Sequence, residues 1–156
     1  MLAGDAAALY TAPRTAGVDA ASVAAAWAAA RSSSPTPFLV ARFSAAAKDL
    51  LEVVAAGDGG LAGARAALAP DAVLFGAFAF FVDARQRFAF FSFVGEAVGG
   101  VKRGRVALQR GAAAKAFEGC AADVELSGGA DDAAALAALR SALRGSAGAD
   151  FALAPP

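Results

Sequence analysis

Few residues of this 156-residue chain are suited to catalysis or to metal binding. Histidine, the commonest general base and a common metal ligand, is absent from the sequence. Cys120 is the single cysteine, so it cannot form a disulfide within the chain, and no imidazole is present to activate its thiol. We therefore expect Cys120 to be a buried structural thiol in a reducing environment, and we expect no enzymatic activity.

Two other motifs have structural explanations. Asp131 and Asp132 could form a metal-binding pair, but acidic side chains at the start of a helix are stabilised by its dipole, and we interpret them in that way. The glycine-rich run at residues 57–60 lacks the lysine and the spacing of a phosphate-binding loop, so we interpret it as a turn. The sequence therefore predicts no cofactor and no metal ion.

Positive charge is concentrated in one segment. Residues 85–115 contain a single acid, Glu96, and seven basic residues, which gives the segment a net charge of +6 although the whole chain is neutral. Such an asymmetric charge distribution can steer an acidic partner, whereas zero overall charge argues against general nucleic-acid binding. For any one of these side chains, an ordinary solvated surface position is the alternative explanation. The basic residues are Arg85, Arg87, Lys102, Arg103, Arg105, Arg110 and Lys115.

Alternating and continuous apolar runs predict the strands that must position these charges. Two central segments, residues 73–82 and 88–94, lack a polar face and are rich in phenylalanine, so both of their faces must be covered. A charged connection at residues 83–87 joins them. Further strands are predicted at residues 38–43, 50–56 and 124–126.

Helical spacing predicts elements on both sides of this sheet. Val23 and Trp27 lie on one face of a first helix at residues 18–31, and Leu136, Leu139 and Leu143 form the buried stripe of the last helix, which Gly145 would cap. Between them, the spacing predicts a short helix at residues 61–68, a helix at 98–108 weakened by three glycines, and a separate, better helix at 112–120.

Membrane insertion is not expected from this pattern. The longest uncharged apolar run, residues 72–82, is shorter than the ~20 residues that a membrane span requires. The first residues lack the basic region of a signal peptide. We therefore expect a cytoplasmic protein without a transmembrane segment.

Several segments in a fixed order resemble a known family. They are residues 74–78 (LFGAF), 85–90 (RQRFAF), 93–96 (FVGE), 100–103 (GVKR) and the closing stretch 143–151. Together they resemble the coactosin-like branch of the actin-depolymerising-factor homology (ADF/cofilin) family. The resemblance implies an α+β fold with a single ADF-homology domain, in which a central mixed β-sheet is sandwiched between helices. It places this domain at residues 18–151, after an N-terminal extension at 1–17 that we expect to be flexible and before a tail at 152–156.

The resemblance also implies a function. Members of this family bind actin and are not enzymes, so we expect the chain to bind the side of filamentous actin through a basic face, in association with the cytoskeleton, and without a cofactor. Carried over by position, the actin-binding residues would be Arg85, Arg87, Lys102, Arg103, Arg105, Arg140 and Arg144.

Two alternative functions stay open. A basic patch could bind anionic lipid, which would make the protein a phosphoinositide-binding or adaptor module. The N-terminal extension could instead make it a self-associating scaffold. Whether the protein severs, caps or only decorates filaments, and its oligomeric state, stay open at the level of sequence.

Overall fold

The order of helices and strands follows the sequence-based prediction except at the third helix and at the last strand. The computed structural model describes residues 20–44, 50–127, 131–143 and 148–155. In chain order the elements are α1 (Ala20–Ser33), β1 (Pro37–Phe43), β2 (Leu51–Asp58), α2 (Gly60–Arg65), β3 (Val73–Val82), β4 (Arg85–Val94), α3 (Gly100–Ala114), β5 (Ala122–Ser127), α4 (Asp132–Ala142) and β6 (Phe151–Ala152). The short strand β6 was not predicted.

The six strands form one mixed sheet, which confirms the predicted fold class. The strand order is β2-β1-β3-β4-β5, and β6 pairs with β3. Every pair is antiparallel except β4 with β5, which run parallel. Parallel neighbours require a crossover connection, and α3 is the helix in that connection.

Helices cover the two faces of the sheet and enclose two apolar clusters. On one face, α2 and α4 contribute Leu61 and Leu139 to a cluster with Phe78, Phe80 and Phe91 of the central strands. We call this the α2/α4 face. On the other, the α1/α3 face, Trp27 and Ala113 pack with the opposite-pointing residues of the same strands, including Phe75 and Phe90. The phenylalanines therefore form the core, as the absence of a polar face on β3 and β4 predicts.

The prediction of two helices at residues 98–108 and 112–120 is wrong. A single helix, α3, runs through Gly104 and Gly111 and ends at Ala114, and residues 115–120 form turns. Each glycine weakens a helix by about 1 kcal/mol, but contacts of Ala113 and Val106 with the α1/α3 cluster hold this one in place. Cys120 consequently lies after the helix rather than within it.

The predicted charged connection at residues 83–87 is shorter in the structure. Strand β4 begins at Arg85, and only Asp83 and Ala84 form the turn, both with positive φ angles of 50° and 66°. Positive φ at both turn residues is typical of the tight hairpin turns that match the twist of a sheet. Arg85 and Arg87 are therefore strand residues with fixed positions, not loop residues.

Other boundaries differ from the prediction by a few residues. For example, the first helix begins at Ala20 and ends at Ser33, and β2 continues to Asp58. The predicted extension at residues 1–17, Arg144 and the capping Gly145 lie outside the described residues. Among the residues that the structure describes, no helix is long and apolar enough to cross a lipid bilayer.

We expect Gly104→Ala to raise the free energy of unfolding by about 1 kcal/mol, because alanine favours a helix interior more than glycine does. A Cβ at this position meets no atom within 4 Å, so the substitution introduces no collision. Urea unfolding followed by circular dichroism measures the change.

The control for this prediction is Gly95→Ala. A Cβ at Gly95 would collide with the carbonyl oxygen of Pro70, so this variant should lose stability. If Gly104→Ala also lost stability, the continuous α3 described here would be contradicted.

Candidate functional site

Three arginines lie together at the hairpin end of the sheet. Arg85 and Arg87 are exposed and stand directly across from Val82 and Phe80, which places them on the α2/α4 face. On the same face, the guanidinium of Arg140 in α4 lies 5.5 Å from the ring centre of Phe151. Phe151 in turn pairs with Val82. We call Arg85, Arg87 and Arg140 the hairpin group.

Two further cations lie at the opposite end of β4. Lys102 and Arg105 are exposed on the first half of α3, which begins six residues after β4 ends at Val94. Because β4 extends from Arg85 to Val94, at about 3.3 Å per residue, the two ends of the strand are about 30 Å apart. Lys102 and Arg105, which we call the helix group, also belong to the α1/α3 side of the sheet.

Arg103 has a structural role that the sequence did not reveal. Its Nε donates a hydrogen bond to the carbonyl oxygen of Val98 at 2.9 Å. Its Nη2 donates to the carbonyl oxygens of Gly95 at 3.0 Å and Glu96 at 3.3 Å. Arg103 therefore holds the connection between β4 and α3, and this use of its guanidinium separates it from the helix group.

Arg110 is neutralised within the chain. It forms ion pairs with Asp123 and, at 3.1 Å, with Glu125, and it donates a hydrogen bond to Ser92 Oγ at 2.5 Å. Its positive charge is therefore compensated on the sheet. By contrast, no ion pair involves Arg85, Arg87, Lys102 or Arg105 within the described ranges.

The basic residues predicted from the sequence thus divide into two groups rather than forming one continuous face. The hairpin group and the helix group lie at opposite ends of β4 and on opposite faces of the sheet. Arg103 is engaged with backbone carbonyls, and Arg144 lies outside the described residues. That these cations contact actin stays a prediction.

Helix α3 also exposes apolar side chains that the sequence analysis missed. Val101 is 73% exposed and Leu108 is 84% exposed. They are seven residues apart, so they lie on the same side of the helix, and Arg105 lies between them. A Cβ at the neighbouring Gly104 or Gly111 would meet nothing within 4 Å, so an approaching surface has free access. The seven-residue spacing of these two apolar residues was visible in the sequence, but the exposure of their side chains was not. We call Val101 and Leu108 the apolar row.

The two aspartates that were considered as a metal-binding pair have structural roles. Asp131 accepts a hydrogen bond from the amide of Ala134 at 2.9 Å and caps α4, while Asp132 forms an ion pair with Arg65 at 2.9 Å. These contacts agree with the interpretation as a helix start.

Cys120 lines an open groove of about 430 Å³ together with Phe90, Phe117 and Asp123. Burial raises the pKa of its thiol to about 12; Arg31 acts in the opposite direction, and Asp123 raises it further. The thiol is therefore protonated at neutral pH and is a weak nucleophile.

The structure is a mixed sheet between two helical layers, and Arg85, Arg87, Lys102 and Arg105 have no ion-pair partner among the described residues. A family model described as cofilin/tropomyosin-type actin-binding protein matches residues 15–136, more than half of the chain. The chain therefore belongs to this family of actin-binding proteins, which are not enzymes. The family that the sequence resembles is thus confirmed.

Solved structures share the fold. Coactosin from Entamoeba histolytica is 23% identical, with a TM-score of 0.57, and the match covers 70% of this chain and 81% of that one. Streptomyces griseoflavus cofilin is 14% identical, with a TM-score of 0.62 and coverage of 79% and 94%. Mouse coactosin, described as an actin filament binding protein, is 17% identical, with a TM-score of 0.53 and coverage of 67% and 75%. No curated protein matches the chain.

We expect Arg103→Ala to lower the free energy of unfolding by about 1–3 kcal/mol, because it removes the charged donor for three backbone carbonyls. Lys102→Ala, next to it on the exposed side, should stay within about 0.5 kcal/mol of the wild type. Chemical unfolding measures both. Equal stabilities of the two variants would contradict the structural role of Arg103.

Proposed function

We propose that this chain binds the side of actin filaments through the hairpin group and the helix group, in the cytoplasm and in association with the cytoskeleton. One observation supports this most strongly. In a member of an actin-binding family, two sets of cations that form no ion pair with any described residue lie at opposite ends of one strand. The acidic surface of actin is a suitable partner for both.

The separation of the two groups favours a filament over a single actin subunit. About 30 Å separates the ends of β4, and the groups also belong to different faces of the sheet. A flat contact with a single actin surface would involve only one of the two groups of cations. A filament presents neighbouring subunits, so the hairpin group can contact one of them while the helix group contacts the next.

The apolar row adds a second kind of interaction to the helix group. Exposed basic side chains at the rim of a contact mainly set the association rate and its dependence on salt. Burial of Val101 and Leu108 removes apolar area from water, which contributes roughly 1.5–3 kcal/mol for each fully buried side chain. Helix α3 thus combines charge for steering with apolar surface for affinity.

We expect Arg85→Glu with Arg87→Glu to weaken binding to filaments by at least about tenfold, because reversed charges meet an acidic surface. Lys102→Glu with Arg105→Glu should have a similar effect at the other end of β4. Co-sedimentation with filaments at low and raised salt measures both, and the wild type should bind less tightly at raised salt.

A matched control changes the net charge equally at another position. Lys115→Glu reverses one exposed cation that lies outside both groups and has no ion pair within the described ranges. This variant should pellet with filaments like the wild type, whereas Arg85→Glu, with the same change in net charge, should pellet less. The proposal fails if the wild type stays in the supernatant at both salt concentrations. It also fails if neither of the two charge-reversed groups alters pelleting.

We expect Val101→Ser with Leu108→Ser to weaken filament binding about tenfold even at raised salt, where charge contacts are screened. Both side chains are largely exposed, so the stability of the free protein should not change. Co-sedimentation at raised salt, with thermal unfolding as the folding check, measures the effect. Unchanged binding would show that the apolar row lies outside the contact.

Anionic lipid is the competing partner for the same cations. Binding to vesicles that contain anionic lipid, together with no co-sedimentation with filaments, would support a lipid-binding module instead. Full-length chain compared with a chain lacking residues 1–17 in light scattering tests the scaffolding alternative.

A further inference from the structure

The two-residue strand β6 completes the sheet at the hairpin end. Phe151 pairs with Val82, and Ala152 pairs with Phe81. Strand β1 pairs with the same edge of β3 only as far as Phe78. Without β6, the last part of the β3–β4 hairpin would be a two-stranded ribbon, and such ribbons are marginally stable in water.

The residue before β6 is hydrogen-bonded to the hairpin turn. The amide of Asp83 donates to the carbonyl oxygen of Asp150 at 2.8 Å. In return, the amide of Asp150 donates to Asp83 Oδ1 at 2.9 Å. This reciprocal pair fixes a turn in which Asp83 and Ala84 both have positive φ angles.

The ring of Phe151 connects the members of the hairpin group. The guanidinium of Arg140 lies 5.5 Å from the centre of the Phe151 ring. On the same ring stacks Phe80, with the two ring centres 6.3 Å apart and an interplanar angle of 7°. Phe80 stands across from Arg87, and Val82, the strand partner of Phe151, stands across from Arg85. One buried aromatic side chain therefore contacts Arg140 and the neighbours of both strand arginines.

We propose that β6 is a clip that positions the hairpin group: Phe151 and the Asp83–Asp150 hydrogen bonds hold Arg85, Arg87 and Arg140 in the arrangement that the partner surface meets. The identity of that partner as the actin filament rests on the proposed function. The physical basis is pre-organisation, because side chains and turns already ordered in the free protein lose less entropy on binding. Phe151 is thus a positioning residue and need not touch the partner.

A clip differs from a residue that only stabilises the fold. Loss of stability leaves the affinity of the folded protein unchanged, whereas loss of positioning lowers it. The effect of a clip must also depend on the arginines that it positions. A double-mutant cycle detects this dependence, because residues that act through one another give non-additive effects.

The test uses Phe151→Leu, which keeps a buried apolar side chain but removes the ring. In the otherwise wild-type chain, we expect filament affinity, measured by co-sedimentation at a temperature where every variant is folded, to fall about five- to tenfold. In a chain in which all three members of the hairpin group are changed (Arg85→Gln, Arg87→Gln and Arg140→Gln), the same change should cause less than a twofold further loss. In a chain with Lys102→Gln and Arg105→Gln, the loss should again be about five- to tenfold.

A second pair of variants tests the hydrogen bonds. Asp83→Asn keeps a side-chain oxygen for the amide of Asp150, and Asp83→Gly removes it, while both residues tolerate a positive φ angle. We expect Asp83→Asn to bind filaments like the wild type and Asp83→Gly to bind several-fold more weakly. In the free protein, amide exchange at residue 83 should be faster in Asp83→Gly than in Asp83→Asn, with exchange at Phe78 unchanged.

The outcomes separate the clip from the proposed function. If Arg85→Gln with Arg87→Gln and Arg140→Gln weakens binding but Phe151→Leu does not, the clip is wrong and the filament contact stands. An equal loss from Phe151→Leu in all three backgrounds also overturns the clip. If no variant of the hairpin group alters binding, the proposed filament contact at this end of the sheet is wrong. The clip is then tested by amide exchange in the free protein. Unchanged exchange at residue 83 in both Phe151→Leu and Asp83→Gly would overturn the clip as well.

Discussion

The structure depends on the burial of two adjacent strands on both of their faces. Strands β3 and β4 have almost no polar side chains outside the hairpin end, so water must be excluded from each side. Helices α2 and α4 exclude it on one side, and α1 and α3 on the other. In these two strands, this arrangement restricts charged side chains to the hairpin end.

The distribution of ion pairs then determines which cations are available. The chain is neutral overall, yet its acids do not compensate all cations equally. Asp123 and Glu125 lie beside Arg110, and Asp132 lies beside Arg65. The hairpin group and the helix group lack such partners among the described residues, so their field extends into solvent and can act on an acidic polymer.

Helix α3 illustrates how tertiary contacts change what local signals predict. Its glycines favour a break, which is why two shorter helices were expected at residues 98–108 and 112–120. The crossover between the parallel strands β4 and β5 instead fixes one continuous helix, attached to the sheet by Val106, Arg110 and Ala113. Since these contacts use one side of the helix, Val101 and Leu108 on the other side stay exposed.

By itself, the sequence determined the order of the elements apart from the division of α3 and the strand β6. It also determined the apolar faces of β3 and β4 and the excess of positive charge between residues 85 and 115, because periodicity and composition are local properties. Only the tertiary structure decided which of the described cations have partners within the chain. Arg103 and Arg110 look like Lys102 and Arg105 in the sequence, but carbonyl oxygens of the connection between β4 and α3 engage Arg103, and carboxylates of β5 engage Arg110. The tertiary structure also decided the role of Phe151, because a two-residue strand has no periodicity to detect and acquires its contacts only when β3 lies beside it.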